Sequence, residues 1–439
     1  MGVRTHRTLT LLLTVLVAVV ACALAPAPAS GATRPTMPRH VWLDVATETS
    51  ATVRWAPVAG ATAYEVRRNG RRVATIRASG VLLQGMAPAT FVNVQVVARR
   101  GQLASAPSDP APAVTLASSA CTHYVSTRGS DSAAGTAAAP WRTITRLVDA
   151  WQPGWVGCVD GAFVEDVTIR RGGTSTAKVT LRSWPGTRAS IRGRLWVARG
   201  ADHVVVSSLR LDGRAIKDTA RDSLPSPTVN ATGTMLLDND ITNSRTRVCV
   251  VLGSIRGYGS AVMPVLAYNR IHDCGTRGAN THHGIYLEST RSARIAHNAI
   301  FDNADRGIQL YPDAQRSMII GNVIDGNGTG IIFSGAEGFA SSGNLVLRNV
   351  IAGSQLRSNL EHYWDEPARI GTGNVAARNC LGGARQGNVA VPAVGYAARG
   401  NSTGLLAYAD RAAGDLRPVP SSGCLPWLQS RMLPLAPFR

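Results

Sequence analysis

Aromatic residues make up only 5% of the 439 residues and charged residues 17%, while glycine occurs 44 times. That balance argues against a helix bundle and for a turn-rich β architecture. Lysine is nearly missing: Lys178 and Lys217 are the only two, and arginine supplies the rest of a formal charge of +19. Codon composition also produces such a bias, so the charge points only loosely to an anionic partner, and nucleic acid is not expected. No apolar stretch after the N-terminus approaches the ~20 residues that span a bilayer, which excludes a multipass membrane protein. No CxxC pair, clustered Cys/His set, Walker loop or nucleophile triad is present, so structural zinc and nucleotide chemistry are not expected.

The first 32 residues read as an export signal: Arg4, His6 and Arg7, then an apolar run from Thr8 to Ala21. Small residues at Ala27-Pro28-Ala29 and Ser30-Gly31-Ala32 suit ordinary signal cleavage. Val19-Val20-Ala21-Cys22 suits a lipobox, with Cys22 lipidated; that lipid is the one membrane attachment expected of a secreted or cell-surface protein. Six further cysteines, an even number, favour disulfides in an exported chain. Proximity suggests Cys121–Cys158, Cys249–Cys274 and Cys380–Cys424.

Residues 33–117 carry short alternating runs (51–55, 63–66, 92–96) between turn signals such as Asn69-Gly70. Trp55, Tyr64, Val66, Val94 and Val96 fall on one face, as a β-sandwich needs. With Met86-x-Pro88-x-Thr90 and Ser105-x-Pro107-Ser108, the segment resembles a fibronectin type III domain, departing at Val92 where that family carries a tyrosine. The expectation is a spacer, with Ser105 to Ser119 as its linker.

From residue 121 a repeat takes over. Asn-x-Ile recurs at Asn239, Asn269, Asn298, Asn322 and Asn349, with Asn374-Val375 as a degenerate copy. Ile285, Ile308 and Ile331 mark a second strand in successive repeats. Runs with period two, broken by glycine and asparagine, predict a right-handed parallel β-helix, all-β like the sandwich before it. Asn suits the corner because it tolerates a left-handed backbone and its amides can stack. Pro140 to Trp151 predicts a capping helix. The expected boundaries are an N-cap at 121–160, a coil at about 161–380 and a C-terminal cap at 381–439.

The elements around Tyr124, Gly129, Gly135 and Pro140-Trp141, together with the Asn-x-Ile rungs, resemble the pectate-lyase-like superfamily over 121 to about 380. In this register Tyr286, Glu288, Gln309, Tyr311, Ile332 and Ser334 face outward on one groove, with His283 and Arg306 preceding adjacent strands. Asp305 and Asp313 flank the column, Glu361 and Tyr363 extend it, and His362 is expected to point inward. Loops at 213–228, 253–264 and 274–282 are long enough to wall it.

This set suits an acidic polysaccharide. Arg306 neutralises a uronate carboxylate, and His283, Tyr286 and Glu288 are the candidate proton-transfer groups, with Gln309, Tyr311, Asp313, Glu361 and Tyr363 as substrate contacts. The run from His283 to Leu310 resembles rungs of mannuronan C5-epimerases and alginate lyases. The epimerase Asp-Pro-His signature is missing, with Asn280-Thr281-His282 in its place, so lyase chemistry leads. A β-helix hydrolase, using Glu288 with Asp305, Asp313 or Glu361, and a non-catalytic glycan binder are the alternatives. No cofactor is expected; groove aspartates leave room for calcium, although no EF-hand pattern is present. A monomer is expected.

Overall fold

The computed structural model describes residues 1–2, 33–214, 225–365, 369–419 and 423–424. The export signal and Cys22 lie outside the described residues.

The described residues are all-β apart from one short helix. Two antiparallel sheets between residues 42 and 114 form a sandwich that resembles fibronectin type III domains. Trp55, Tyr64, Val66, Val94 and Val96 are all buried in its core, as the alternation requires. The sandwich reaches further along the chain than expected. Ala111–Val114 is a strand paired with Phe91–Arg100. Ser105 and Ser108 turn their hydroxyl oxygens to the backbone N–H groups of Ala98 and Val96. The stretch read as a linker is thus largely folded.

The rest is a parallel β-solenoid of three sheets. The first stacks eleven strands, from His123–Ser126 to Tyr396–Arg399; the second stacks ten, from Ala162–Val164 to Ser402–Thr403. The third runs from Val167–Ile169 to Leu360–Trp364. Strands therefore continue past residue 380, and the coil is longer than expected. Its interior is a continuous file of aliphatic residues, among them Ile285, Ile308, Ile331 and Leu360 in one register column. The helix Ile144–Ala150 closes the N-terminal end, N-capped by Thr143 and burying Ile144, Leu147 and Val148. The bonds Cys121–Cys158, Cys249–Cys274 and Cys380–Cys424 are all formed.

The asparagines stack at one corner. Each Nδ2 donates to the next Oδ1 from Asn239 through Asn269, Asn298, Asn322, Asn349 and Asn379 to Asn401, at 2.9–3.1 Å. Two details differ from expectation. The last copies are Asn379 and Asn401, whereas Asn374 belongs to a separate ladder with Asn344. The left-handed residue is also the one before each asparagine: Asp238, Tyr268, His297, Arg348 and Arg378, with Gly321 and Gly400 at the remaining corners. The asparagine side chain is needed inside, where it serves buried backbone groups; the neighbour takes the unfavourable φ.

The sandwich is not a free spacer. It lies on the outer face of the first sheet, where Val205, Met235, Leu237, Val265, Ala267 and Tyr268 join its core. Tyr268 donates its hydroxyl hydrogen to the Val114 carbonyl, His297 Nε2 contacts the Pro112 carbonyl at 3.2 Å, and Arg348 donates to the Val41 carbonyl. Arg182 reaches Ser118 near one end and Arg378 pairs with Asp109 near the other.

Candidate functional site

The third sheet carries a groove on its outer face. Tyr286, Gln309, Ile332 and Glu361 stand in one column on four consecutive rungs. Alternation along each strand buries Ile285 and Leu287 and turns Tyr286 and Glu288 outward. Two adjoining cavities share Tyr286 and Tyr311. The lower, about 570 Å³, is lined by Asn280, Thr281, His283, Arg306, Gln309, Ile332, Arg357, Glu361, His362 and Tyr363. The upper, about 520 Å³, is lined by Trp196, Thr228, Ser254, Arg256, Tyr258, Glu288 and Glu337 among others. The three expected loops supply walls, through Pro225, Gly253 to Tyr258, and Asn280–Thr281. The Cys249–Cys274 bond anchors the root of the last of these.

An ion network sits behind the lower cavity. Asp305, 2% exposed in its side chain, pairs with Arg306 through one oxygen and with Arg357 at 3.2 Å through the other. Arg357 also meets Glu361 at 3.3 Å, and Arg306 donates to the Asn280 carbonyl. Part of the Arg306 fork is thus committed to Asp305. His283 Nδ1 lies 3.3 Å from the same Asp305 oxygen, too poorly aligned for a hydrogen bond. Burial pushes the His283 imidazole down to about 4, more strongly than Asp305 raises it. Burial likewise raises the Tyr286 phenol, with Glu288 adding to the effect. At neutral pH the pair is thus a neutral imidazole and a neutral phenol, ring centroids 5.7 Å apart.

Four buried polar atoms around this cavity have no aligned hydrogen-bond partner: His283 Nδ1, Arg306 Nε, Gln309 Oε1 and His362 Nδ1. Buried polar groups are nearly always satisfied, and here four that lack a partner belong to residues that line one cavity.

Most expected site residues converge here. Tyr363 is half-exposed at the rim, where its hydroxyl donates to Asp365. His362 keeps the inward register expected of it, opposite buried Phe333 and beside Tyr396, and also touches the cavity edge. Three residues do not line the groove. Asp313 is buried against Arg291 and Gln315. The pairing Leu287–Leu310 shifts to Ser289–Asp313, so one extra residue flips the alternation before Asp313. Ser334 is also buried and donates to the Leu310 carbonyl. His282 accepts from the Thr276 N–H and braces its own loop. Missed in sequence were Trp196, Arg256, Tyr258, Glu337 and Arg357.

In the upper cavity Trp196 meets Tyr258 edge-on, centroids 6.0 Å apart, and Tyr286 lies over Tyr311 at 6.2 Å. Glu288 accepts from the Ile255 N–H at 3.2 Å, and burial raises its carboxyl.

Residues 229–388, which hold most of the residues lining both cavities but not Trp196, match the NosD family, described as periplasmic copper-binding protein. No curated protein matches. Among solved structures, the complex of XylC with xylose is 12% identical, covering 61% of this chain and 69% of its own, with a TM-score of 0.46. The fn3 domain of human collagen alpha-1(XX) chain is 28% identical, covering 21% of this chain and 95% of its own, TM-score 0.18. FN3tt is 20% identical, covering 20% of this chain and 100% of its own, TM-score 0.18.

Among the described residues the copper of that family description finds no fitting donor set. Cys249 and Cys274 are bonded to each other, His272 is held by Asp240 and Asp273, and His297 lies against Tyr268 and the sandwich. Among the described residues no group of three His, Cys, Asp or Glu side chains is placed to hold a metal ion.

Proposed function

We propose that the protein acts outside the cytoplasm, secreted or held at the cell surface, on a uronate-containing polysaccharide that it cleaves by β-elimination in the lower cavity. The observation that carries this reading is the ring of orphaned polar atoms beside a neutral imidazole and a neutral phenol. The cavity edge of Arg306 and the exposed part of Arg357 draw the carboxylate and offset its charge, which acidifies the neighbouring C5–H bond. His283, unprotonated above about pH 4, takes that proton. The C5–H electron pair forms the C4=C5 double bond, the C4–O bond breaks, and its oxygen leaves with the proton of Tyr286. Solvent then restores both groups. Asp305 orients His283, and their long contact is of the kind that tightens when substrate fills a site.

The fibronectin-like domain serves here as a brace for the coil. Calcium is not needed in this scheme, since guanidinium groups carry the carboxylate's charge.

The test is a screen of the mature chain against a panel of uronate polysaccharides, following the ultraviolet absorbance of unsaturated products. Unsaturated ends that vanish in Tyr286→Phe support elimination. Saturated reducing ends that vanish in Glu288→Gln would point to hydrolysis through the upper cavity. Binding without any product would make the protein a glycan binder.

A further inference from the structure

The two halves of the groove differ in the charged groups at their walls. The lower cavity is lined by two guanidinium groups, Arg306 and Arg357, and one carboxylate, Glu361, with the buried Asp305 balancing the guanidinium groups from behind. The upper presents two carboxylates, Glu288 and Glu337, to one guanidinium, Arg256. The upper cavity also has aromatic walls, Trp196, Tyr258, Tyr286 and Tyr311. Tyr286 and Tyr311 border both cavities, so a chain threaded along the groove places successive sugars on opposite sides of them.

We infer that the upper cavity is a subsite for an uncharged sugar, so that the protein reads a heteropolymer in which a uronate alternates with a neutral residue. This rests on the uronate reading of the lower cavity. A homopolymer of uronates would drive a second carboxylate against Glu288 and Glu337, where like charges repel in a half-enclosed space. An uncharged ring meets no such cost. Its C–H face packs on Trp196 and Tyr258, and its hydroxyls donate to the two carboxylates, which are strong acceptors in this setting. Ser254 and the Ile255 N–H hold Glu288 in place from the loop side, at 3.5 and 3.2 Å. That support leaves the cavity side of the carboxyl to the ligand.

The experiment is equilibrium binding, by calorimetry, of the full mature chain in a Tyr286→Phe background, which keeps the ring and stalls elimination. Three probes of equal length are used: a uronate homo-oligomer, an alternating uronate–neutral hexose oligomer, and an alternating uronate–hexosamine oligomer with free amines. The neutral alternating oligomer should bind about tenfold or more tighter than the homo-oligomer. Glu337 sits on an exposed turn, so Glu337→Gln should fold normally and narrow that ratio several-fold by improving homo-oligomer binding. Glu288→Gln should narrow it further. Equal affinities, a ratio unmoved by Glu337→Gln, or tightest binding of the amine-bearing oligomer would each overturn the inference. A homo-oligomer that binds best leaves the uronate reading standing while removing this one. Failure of all three probes to bind removes both.

Discussion

Nδ1 of His283 and Oδ2 of Asp305, buried on consecutive rungs, lie 3.3 Å apart, and the same oxygen is shared with Arg306. The carboxylate therefore answers to two groups. Arg306 takes the stronger contact, and burial keeps the imidazole neutral rather than half of an ion pair.

Activity should persist at low pH. A base works only when unprotonated, and His283 is held down to about 4. The acid limb of kcat/KM on a uronate polymer should then fall near pH 4, well below the ordinary imidazole range. A limb near 6.5 would show that another, solvated group is the base.

Replacing the proton-transfer groups should cost turnover rather than fold. Tyr286→Phe and His283→Ala should each lower kcat by roughly 10²–10⁴-fold, with Glu288→Gln milder. Arg306→Lys should recover little of what Arg306→Ala loses, because an ammonium cannot serve Asp305, Asn280 and substrate from one planar fork. Steady-state rates with a thermal melt of each variant separate the two effects.

Stability should decline as the medium is acidified. The folded His283 binds a proton only near pH 4, whereas the unfolded chain binds one near 6.5, so the contribution is complete above 6.5 and is lost as pH falls toward 4. The loss is on the order of 3 kcal/mol, and His297, also held near 4 by burial, adds in the same direction. Denaturation midpoints across that window check it. A flat profile would mean that neither imidazole resists protonation.

The asparagine ladder is intolerant at its centre. Asn298→Ala removes the acceptor for the Asn269 N–H and amide and strands the Leu266 carbonyl, all buried. The expected cost is about 3 kcal/mol or more by chemical denaturation. Asn401→Ala, at the half-exposed end, should cost much less. Equal losses at both would mean that burial does not set the cost.

Removing residues 33–117 should leave a solenoid that associates, because Val205, Met235, Leu237, Val265 and Ala267 lose their cover. Light scattering of the truncated chain should show aggregation, and polar replacement of Leu237 and Val265 should relieve it. A monodisperse truncation would return the sandwich to the status of a spacer.

The coil was readable because its signal repeats. Asn-x-Ile recurs in five turns and the isoleucine column in three, and each copy corroborates the others. His283, Tyr286 and Arg306 could be aligned from that spacing alone. Asp313 could not, since one inserted residue reverses a period-two pattern without changing local composition. Arg256, Tyr258, Glu337 and Arg357 sit on connections of irregular length, where no repeat predicts which way a side chain faces. The docking of the sandwich left no mark either: Leu237 and Val265 look like any half-buried strand residue until their neighbour is known.

A solenoid joined only rung to rung frays from its ends, since each turn is stabilised by its two neighbours and little else. Here the sandwich grips the first sheet sideways at seven successive rungs, through Val205, Leu237, Val265, His297, Met318, Arg348 and Arg378, and the segment leaving it holds an eighth through Ser118 and Arg182. It acts as a splint. Opening one of those rungs must also break a lateral contact, so the stretch from Arg182 to Arg378, which spans the whole groove, is bound to melt as a single block.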